Sequence, residues 1–599
     1  MKKYLKNILE KYFSSFLFFY RVIGYRIFIT VTLSILVGLL DGFGLTMFLP
    51  LLQMIGGADN VDSASLGNMS FITDGFEKIG MPLNLNSVLL FMCGFFILKG
   101  FAKFISSSYD VKVRQYFIKK VRLSLLNAIN NISFKFFVQS DSGRIQNTMT
   151  GETDRVMRAN AYFIQALQQL VMVGIYMLMA FFVDARFALL VSIGGVLSNF
   201  VFNYFYKLTK SISNQLTQNM HGFQGLLIQH ISNYKYLKST GLLKVFGARL
   251  QKSILDVEEN NKKIGIYNAV LGSLREPLLI IVVSLVIFFQ ANVLHADLGL
   301  ILLSLLFFYR GLTSLMLMQT SWNSFVALSG SVINVVSFQK ELIYDKQDKG
   351  ELNFNKFISK LQLQEVVFSY GEKQILKKIN LEILKNETIA FVGESGSGKT
   401  TLISLIAGLL PPDSGEYLID TIDVKKINIE SFQNRIGYIT QEPVIFDDTI
   451  YNNITLWAPI TKENIKRFWI VAEQANIYSF VADQKDAELS RLGNNGINIS
   501  GGQKQRISIA RELYKDIDFL FMDEATSALD SETENLIQEN IEKLRGKCTI
   551  IIIAHRLSTI RNADRVVVMK SGEIEHIGSY KDLIQESTSF KRMVDLQNL

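Results

Sequence analysis

Six long apolar segments occupy the first half of this 599-residue chain, near 26–52, 86–108, 160–183, 187–206, 268–292 and 298–320. Each is long enough to cross a bilayer, which takes roughly 20 apolar residues. Lipid offers no partner for backbone N–H and C=O groups, so segments of this kind must be helices. Only seven Pro occur in the chain, and three of them precede residue 411, which leaves long helices unbroken.

Charge orients the segments. The linkers 100–158 and 207–263 are dense in Lys and Arg, whereas 53–86, 184–186 and 291–297 hold only Lys78 and Arg186. Basic residues stay on the cytoplasmic side, so both long linkers and both termini are expected there. The net charge of +8 is therefore a topology signal and gives no support for a nucleic-acid partner. The long linkers read as helical extensions that turn back near Ser142-Gly143-Arg144 and Gly222-Phe223-Gln224. Those turns are the expected contact points with a cytoplasmic motor. Residues 1–22 mix Lys with Leu, Ile and aromatics, the pattern of a helix lying in the membrane surface rather than a cleaved signal. Cys93 and Cys548 show neither metal nor disulfide spacing.

After the spans comes a polar linker, 338–360, and then the composition of a soluble α/β domain, 361–599. Its sharpest feature is Gly393-Glu394-Ser395-Gly396-Ser397-Gly398-Lys399-Thr400. This fits G-x-x-x-x-G-K-[ST] between an apolar strand (389–392) and a helical run. The glycines turn backbone N–H groups toward phosphate oxygens, and the helix N-terminus points its positive end at them. Lys399 supplies a charge for the outer phosphates, and the Thr400 hydroxyl suits Mg²⁺. Further on, a strand ends in Gln441, able to reach Mg²⁺ or water, and Ser500-Gly501-Gly502-Gln503 opens a helix. The apolar run 519–522 ends in Asp523 and Glu524, which face opposite ways on a strand and so need separate tasks. Asp523 suits the metal shell and Glu524 a general base. The run 549–554 ends in His555, placed for a γ-phosphate, and Tyr370 is an aromatic able to stack on adenine.

In this order the motifs resemble the nucleotide-binding domain of ABC transporters, and with six preceding spans the whole chain resembles an exporter-type half-transporter. The resemblance implies an α-helical six-span membrane domain (23–337) joined to an α/β P-loop ATPase domain, working as a domain-swapped-type exporter homodimer. It implies ATP and Mg²⁺ as cofactors, held by Tyr370, by Gly393 to Thr401 (Gly393, Ser395, Gly396, Gly398, Lys399, Thr400 and Thr401), by Gln441 and by Asp523. Ser500, Gly501, Gly502 and Gln503 would complete the site of the opposite protomer, with Asp530 at the dimer seam. Glu524, His555 and Gln441 would be catalytic. Because every catalytic position has its expected residue, two copies of this chain give two competent sites, which favours a homodimer over a heterodimer. One departure is Asn494, which stands where many exporters have a Glu just before the signature.

Charges inside the spans are the best clue to the cargo, since each costs roughly 2.5–3.5 kcal/mol at a helix centre. Asp41 lies in the first span, Arg275 and Glu276 in the fifth, and Arg310 in the sixth. One reading is structural pairing, such as Arg310 with Asp41. The other is a basic cavity wall of Arg275 and Arg310 that holds the phosphates of an anionic amphiphile. The acidic residue in the first span, Gly42-Phe43-Gly44-Leu45, Phe48-Leu49-Pro50 and Tyr309-Arg310 are similar to flippases of lipid-linked oligosaccharides. Lipid A-type, multidrug and peptide exporters share the frame, and a nucleotide-gated channel or sensor is a remote alternative. The expected setting is the bacterial inner membrane, with membrane lipid as neighbour.

Overall fold

The computed structural model describes residues 17–55, 76, 78, 80–183, 185–274, 277, 280–281, 284–285, 287–288, 298–347, 350–493, 496–523, 539, 542–554 and 560–597. At 52–53, 55, 186–203 and 298–304 it describes the backbone course alone. Two compact units emerge: residues 1–132 with 139–346, and residues 133–138 with 347–599.

The first unit is helical. Its long members are α1 (Arg26–Thr46), α2 (Leu85–Ile129), α5 (Thr153–Val183), α6 (Ala185–Ser232), α8 (Leu243–Ser273) and α9 (Leu298–Ala327), followed by α10 (Ser329–Tyr344). The short α4 (Ser142–Asn147) and α7 (Tyr234–Ser239) lie between them, whereas all of α3 (Phe134–Gln139) but its last residue falls in the second unit. Among the described residues, Arg26–Leu51, Leu85–Ile129 and Ser142–Val183 are long and apolar enough to cross a membrane. The 45 residues of α2 extend about 67 Å, far beyond a hydrocarbon core of about 30 Å. The basic half of α2 therefore continues the helix outside the lipid. The closest helix pairing is α9 with α5, where Gly311 faces Tyr176 and Met177.

Of the two turns expected in the long linkers, the one near Gly222 falls elsewhere, while a helix break at Ser140-Asp141 directly precedes Ser142-Gly143-Arg144. Gly222 lies inside the continuous helix α6, with nothing near the space a Cβ would fill. A single Gly weakens a helix by about 1 kcal/mol without ending it. The chain turns at Asn233 and again at Gly241, which takes a left-handed φ of +72°. Gly143 is likewise in the first turn of α4, capped by Asp141, whose Oδ1 accepts from the Gly143 N–H at 2.7 Å. Its lack of a side chain lets α4 approach α6: a Cβ there would stand 2.9 Å from the Gly225 Cα.

The second unit is built on a six-stranded sheet of order β10-β9-β3-β8-β7-β6. These are β3 (Thr388–Gly393), β6 (Ile436–Ile439), β7 (Phe519–Asp523), β8 (Thr549–Ile553), β9 (Arg565–Lys570) and β10 (Glu573–Gly578). All adjacent pairs are parallel except the β9–β10 hairpin. Alternation along the strands fills two cores. Ala390, Val392, Leu520, Met522, Ile550 and Ile552 face one, and Ile389, Phe391, Phe519, Phe521, Ile551 and Ile553 face the other. Burial on both faces explains why these strands read as unbroken apolar runs. A second sheet, β2-β1-β4-β5, joins β1 (Lys360–Tyr370), β2 (Lys373–Leu384), β4 (Ser414–Ile419) and β5 (Ile422–Asp423). The helices α11 (Lys399–Ile406), α12 (Ile450–Thr455), α13 (Lys462–Gln474) and α14 (Gly501–Tyr514) complete the elements that position the site.

Candidate nucleotide site

Parallel strands in one register bring distant motifs to one edge. Phe391 pairs with Ile553, Ile553 with Asp523, and Ile439 with Met522. The carboxyl ends of β3, β8, β7 and β6 therefore lie side by side. The loop after β3, Asp523 at the end of β7, and Gln441 two residues past β6 share that edge, where α/β sheets place their ligands. Glu524 and His555 continue β7 and β8 but, with Asp530 and Asn494, lie outside the described residues.

The loop after β3 has the geometry of a phosphate cradle. Gly393, Gly396 and Gly398 take φ of +147°, +80° and +101°. At Gly393 a Cβ would stand 2.2 Å from the Met569 carbonyl oxygen, so no side chain fits. Gly398 is the N-cap of α11, which begins at Lys399. The Lys399 side chain folds back over the loop, its Nζ donating to the carbonyls of Gly393 (2.8 Å) and Glu394 (2.9 Å). Ser395, Gly396 and Thr400 are exposed at the crest, and Thr401 is half-buried. The Ser397 Oγ is buried without a hydrogen-bond partner. This cradle fits a nucleotide's phosphates.

The sequence reading missed the support behind the cradle. Ser571 and Gly572, with φ of +51° and +87°, form the two-residue turn of the β9–β10 hairpin. The Gly572 N–H donates to the Ser397 carbonyl (3.1 Å), and its own carbonyl accepts from the Lys377 N–H (2.8 Å). A Ser-Gly pair between two apolar alternations is a hairpin signal, so the turn was recoverable, though its contact was not. Gly393→Ala is expected to abolish ATP binding, because the clash is with backbone and the φ is hostile to a Cβ. Titration with a fluorescent ATP analogue checks this, and unchanged affinity would contradict it.

Tyr370 ends β1, half-buried, with its ring edge-on to Phe368 at 4.9 Å. Burial raises its pKa, so the ring is a neutral phenol at pH 7. Gln441 is exposed and Asp523 half-buried. Ser500 caps α14 in a reciprocal box: its Oγ accepts from the Gln503 N–H (3.2 Å), and its N–H donates to Gln503 Oε1 (2.8 Å). Gly501 is exposed with open space around it. The signature thus opens a helix that packs on α12, α13 and β6, apart from the strand-end set.

The second unit also contains Ser133–Val138, a segment of the first long linker. Phe134 packs on the core beneath the cradle, and Lys135 pairs with Asp413 at 3.2 Å, its ammonium 5.0 Å from the Phe368 ring centre. This segment precedes Ser142-Gly143-Arg144, the place where the motor contact was expected.

Sequence profiles of known families match both units: the ABC transporter transmembrane region over residues 27–320 and the ABC transporter family over 376–527. The chain belongs to the ABC transporter family. It is an exporter-type half-transporter, one membrane domain fused to one ATPase domain, and it couples ATP hydrolysis to transport. Among curated relatives, the ATP-dependent lipid A-core flippase of Francisella tularensis subsp. tularensis (strain FSC 198) is 28% identical over 526 residues, covering 84% of this chain and 83% of that one. The protein of that name from Shewanella oneidensis is 25% identical over 602 residues, covering 97% and 98%. A solved bacterial Atm1-family ABC exporter with ATP bound has the same fold, with a TM-score of 0.76 at 21% identity over 97% of this chain and 99% of that one.

In the transporter's membrane unit the buried charge Asp41 is 1% exposed. Its partner is Lys99, whose Nζ lies 2.6 Å from Oδ1, and the Tyr176 hydroxyl donates to its other oxygen. The pairing of Asp41 with Arg310 is thereby replaced. Lys99 lies on the neighbouring helix α2, and spacing along the sequence does not reveal such a contact. Arg310 is exposed on α9, one residue before the Gly311 that faces Tyr176, and it forms no ion pair among the described residues. Arg275 and Glu276 lie outside the described residues.

Proposed function

We propose that two copies of this chain form an ATP-driven flippase for an anionic glycolipid in the bacterial inner membrane, with the ATPase domains cytoplasmic. The observation that carries the cargo class is Arg310, a cation in a membrane helix whose expected carboxylate partner is engaged by Lys99 and Tyr176. A charge so placed needs an anion, and a lipid phosphate supplies one. The names of the curated relatives point the same way, toward a glycosylated lipid. A lipid-linked oligosaccharide, our first expectation, and a lipid A-type molecule share this chemistry: phosphate, sugar and hydrocarbon.

At the nucleotide site, the 393–401 loop and Lys399 bind and orient the triphosphate, and Tyr370 stacks on its base. Thr400, Gln441 and Asp523 would hold Mg²⁺, which when bound offsets charge on the outer phosphates. Glu524 takes a proton from a water whose oxygen bonds to the γ-phosphorus as the bond to the bridging oxygen of ADP breaks. His555 steadies the γ-phosphate. The signature Ser500–Gln503, exposed at Ser500 and Gly501, closes on the nucleotide of the second copy, which is why one chain has no complete site by itself. Closure around two nucleotides shifts the membrane helices from inward- to outward-facing by its differential affinity for the two states.

The test is ATP-dependent flipping in liposomes, run in parallel with a fluorescent lipid-linked oligosaccharide and a fluorescent lipid A. Flipping of one but not the other identifies the head group. ATP hydrolysis with neither flipped would remove the glycolipid reading and favour a peptide or drug. Arg310→Gln is expected to raise the half-saturating lipid concentration about tenfold through loss of one charge-assisted contact. An unchanged value would remove Arg310 from the cargo site.

A further inference from the structure

One buried cation in the ATPase domain has no role in the chemistry above. Arg511 lies in the last turn of α14 and is 6% exposed. Its Nε donates to the Asn453 carbonyl (2.7 Å), and its Nη2 donates to the Val444 carbonyl (2.9 Å) and to Asn453 Oδ1 (3.2 Å). The guanidinium stands 5.3 Å from the Phe446 ring centre. No carboxylate pairs with it among the described residues. The adjacent Glu512 instead accepts from Lys515 at 2.7 Å. Burial pushes the pKa of the guanidinium below its ordinary value. A buried charge solvated only by carbonyls is costly, and an apolar side chain would fill the space at less cost. The fork geometry, which reaches two separate carbonyls at once, is what an apolar residue lacks.

The carbonyls it holds belong to the segment that follows Gln441, Val444 in the loop and Asn453 in α12. Val444 is three residues beyond Gln441. Asn453 is fully buried, and its side chain extends the same knot: Oδ1 accepts from the Phe446 N–H (2.9 Å), while Nδ2 donates to the carbonyls of Phe446 and Thr449 (3.0 Å each). The loop is also stitched to the chain that leads into the signature. The Ile450 N–H donates to the Ser490 carbonyl (2.9 Å), and the Leu492 N–H to the Asp448 carbonyl (3.1 Å). A Cβ on Gly496 would stand 3.1 Å from Ile445. The segment following Gln441 is thus fixed at one end of α14 by Arg511 and near the other by the backbone ahead of Ser500.

We propose that Arg511 is a positioning residue of the ATPase: it locks the loop after Gln441 to the signature helix, so that Gln441 and Ser500-Gly501-Gly502-Gln503 move to and from nucleotide as one body. This rests on the nucleotide site proposed above. The transmitted event is the engagement of Gln441, and the transmitted motion is that of α14.

Arg511→Lys keeps the charge and loses the fork. It is expected to lower the maximal ATPase rate about tenfold with the KM for ATP within about twofold, because the defect lies in closure rather than in binding. Gln441→Ala lowers the rate by itself, and adding Arg511→Lys is expected to cause no further loss, since the second residue acts through the first. Losses that multiply, or an Arg511→Lys enzyme with normal turnover, overturn the proposal. Should Arg511→Lys fail to fold, hydrogen exchange decides with the native Arg in place. In full-length Glu524→Gln protein, ATP is expected to protect amides 444–453 and 500–503 together, and adding Gln441→Ala is expected to remove both gains. A gain at 500–503 that survives Gln441→Ala overturns the coupling. Failure of the wild-type chain to bind an ATP analogue would overturn the nucleotide reading, and the proposal with it.

Discussion

Glutamine at position 524 is expected to slow ATP hydrolysis by about 100- to 10,000-fold, the range a general base contributes, while leaving ATP binding intact. Asp523 closes β7 in register with Ile553 of β8. The proposed division of labour, Asp523 to the metal shell and Glu524 to water, rests on the alternation of adjacent side chains expected from the sequence. Glutamine has nearly the same shape and still accepts a hydrogen bond, but it holds no proton-accepting charge. The phosphate cradle, built from Gly393, Gly398 and Lys399 with Gly572 behind it, is untouched. Phosphate release and analogue binding on the same preparation separate the two effects. Turnover within about threefold of wild type would exclude Glu524 as the base. Bound ATP should then persist and hold two chains together, so the variant should also shift toward a closed dimer when ATP is added.

The phosphate cradle was legible because its parts are local. A glycine-rich loop between strand and helix, or an apolar strand ending in two carboxylates, declares its geometry within about ten residues. The parallel sheet then does the assembling, and its strands are readable as buried runs such as Thr549–Ile553. What supports the site was not legible, because it comes from far along the chain. The Gly572 turn behind Ser397, the docking of Phe134 and the reach of Arg511 to Val444 are all long-range contacts. No periodicity encodes them.

The membrane unit shows the same division. Apolar length announced the spans found at Arg26–Leu51, Leu85–Ile129 and Ser142–Val183, and linkers free of Pro announced the helical extensions. The turn expected near Gly222 was misplaced, while the one expected near Ser142-Gly143-Arg144 lies directly after the break at Ser140-Asp141. At 143 the value of Gly is the close approach to Gly225, and at 222 it is tolerated within α6. The real turn at Gly241 needs a left-handed residue, a demand visible only in the backbone.

Asp41→Ala is expected to destabilise the membrane unit by about 2–3 kcal/mol, less than the roughly 3–5 kcal/mol for stranding a fully buried charge because the Lys99 side chain is 26% exposed. Asp41 joins three helices: it sits on α1, takes a 2.6 Å contact from Lys99 on α2, and accepts from the Tyr176 hydroxyl on α5. Removing the carboxylate strands an ammonium that lies 5.2 Å from the Phe96 ring centre and deprives a buried phenol of its acceptor. Thermal unfolding in detergent, followed by the fluorescence of Trp322 in α9 with Trp457 and Trp469 replaced by Phe, reads the loss. The double variant Asp41→Ala/Lys99→Met is the decisive companion, because replacing both members of a buried pair with apolar groups is often close to neutral. If the pair is structural, the double variant regains most of the lost stability and its transport recovers with it. If Asp41 instead touches the cargo, the single variant folds normally, transport fails, and Lys99→Met restores nothing. The first outcome leaves Arg310 as the described span charge available to the cargo's phosphate. The second would move the cargo site toward α1 and leave Lys99 as its nearest cation.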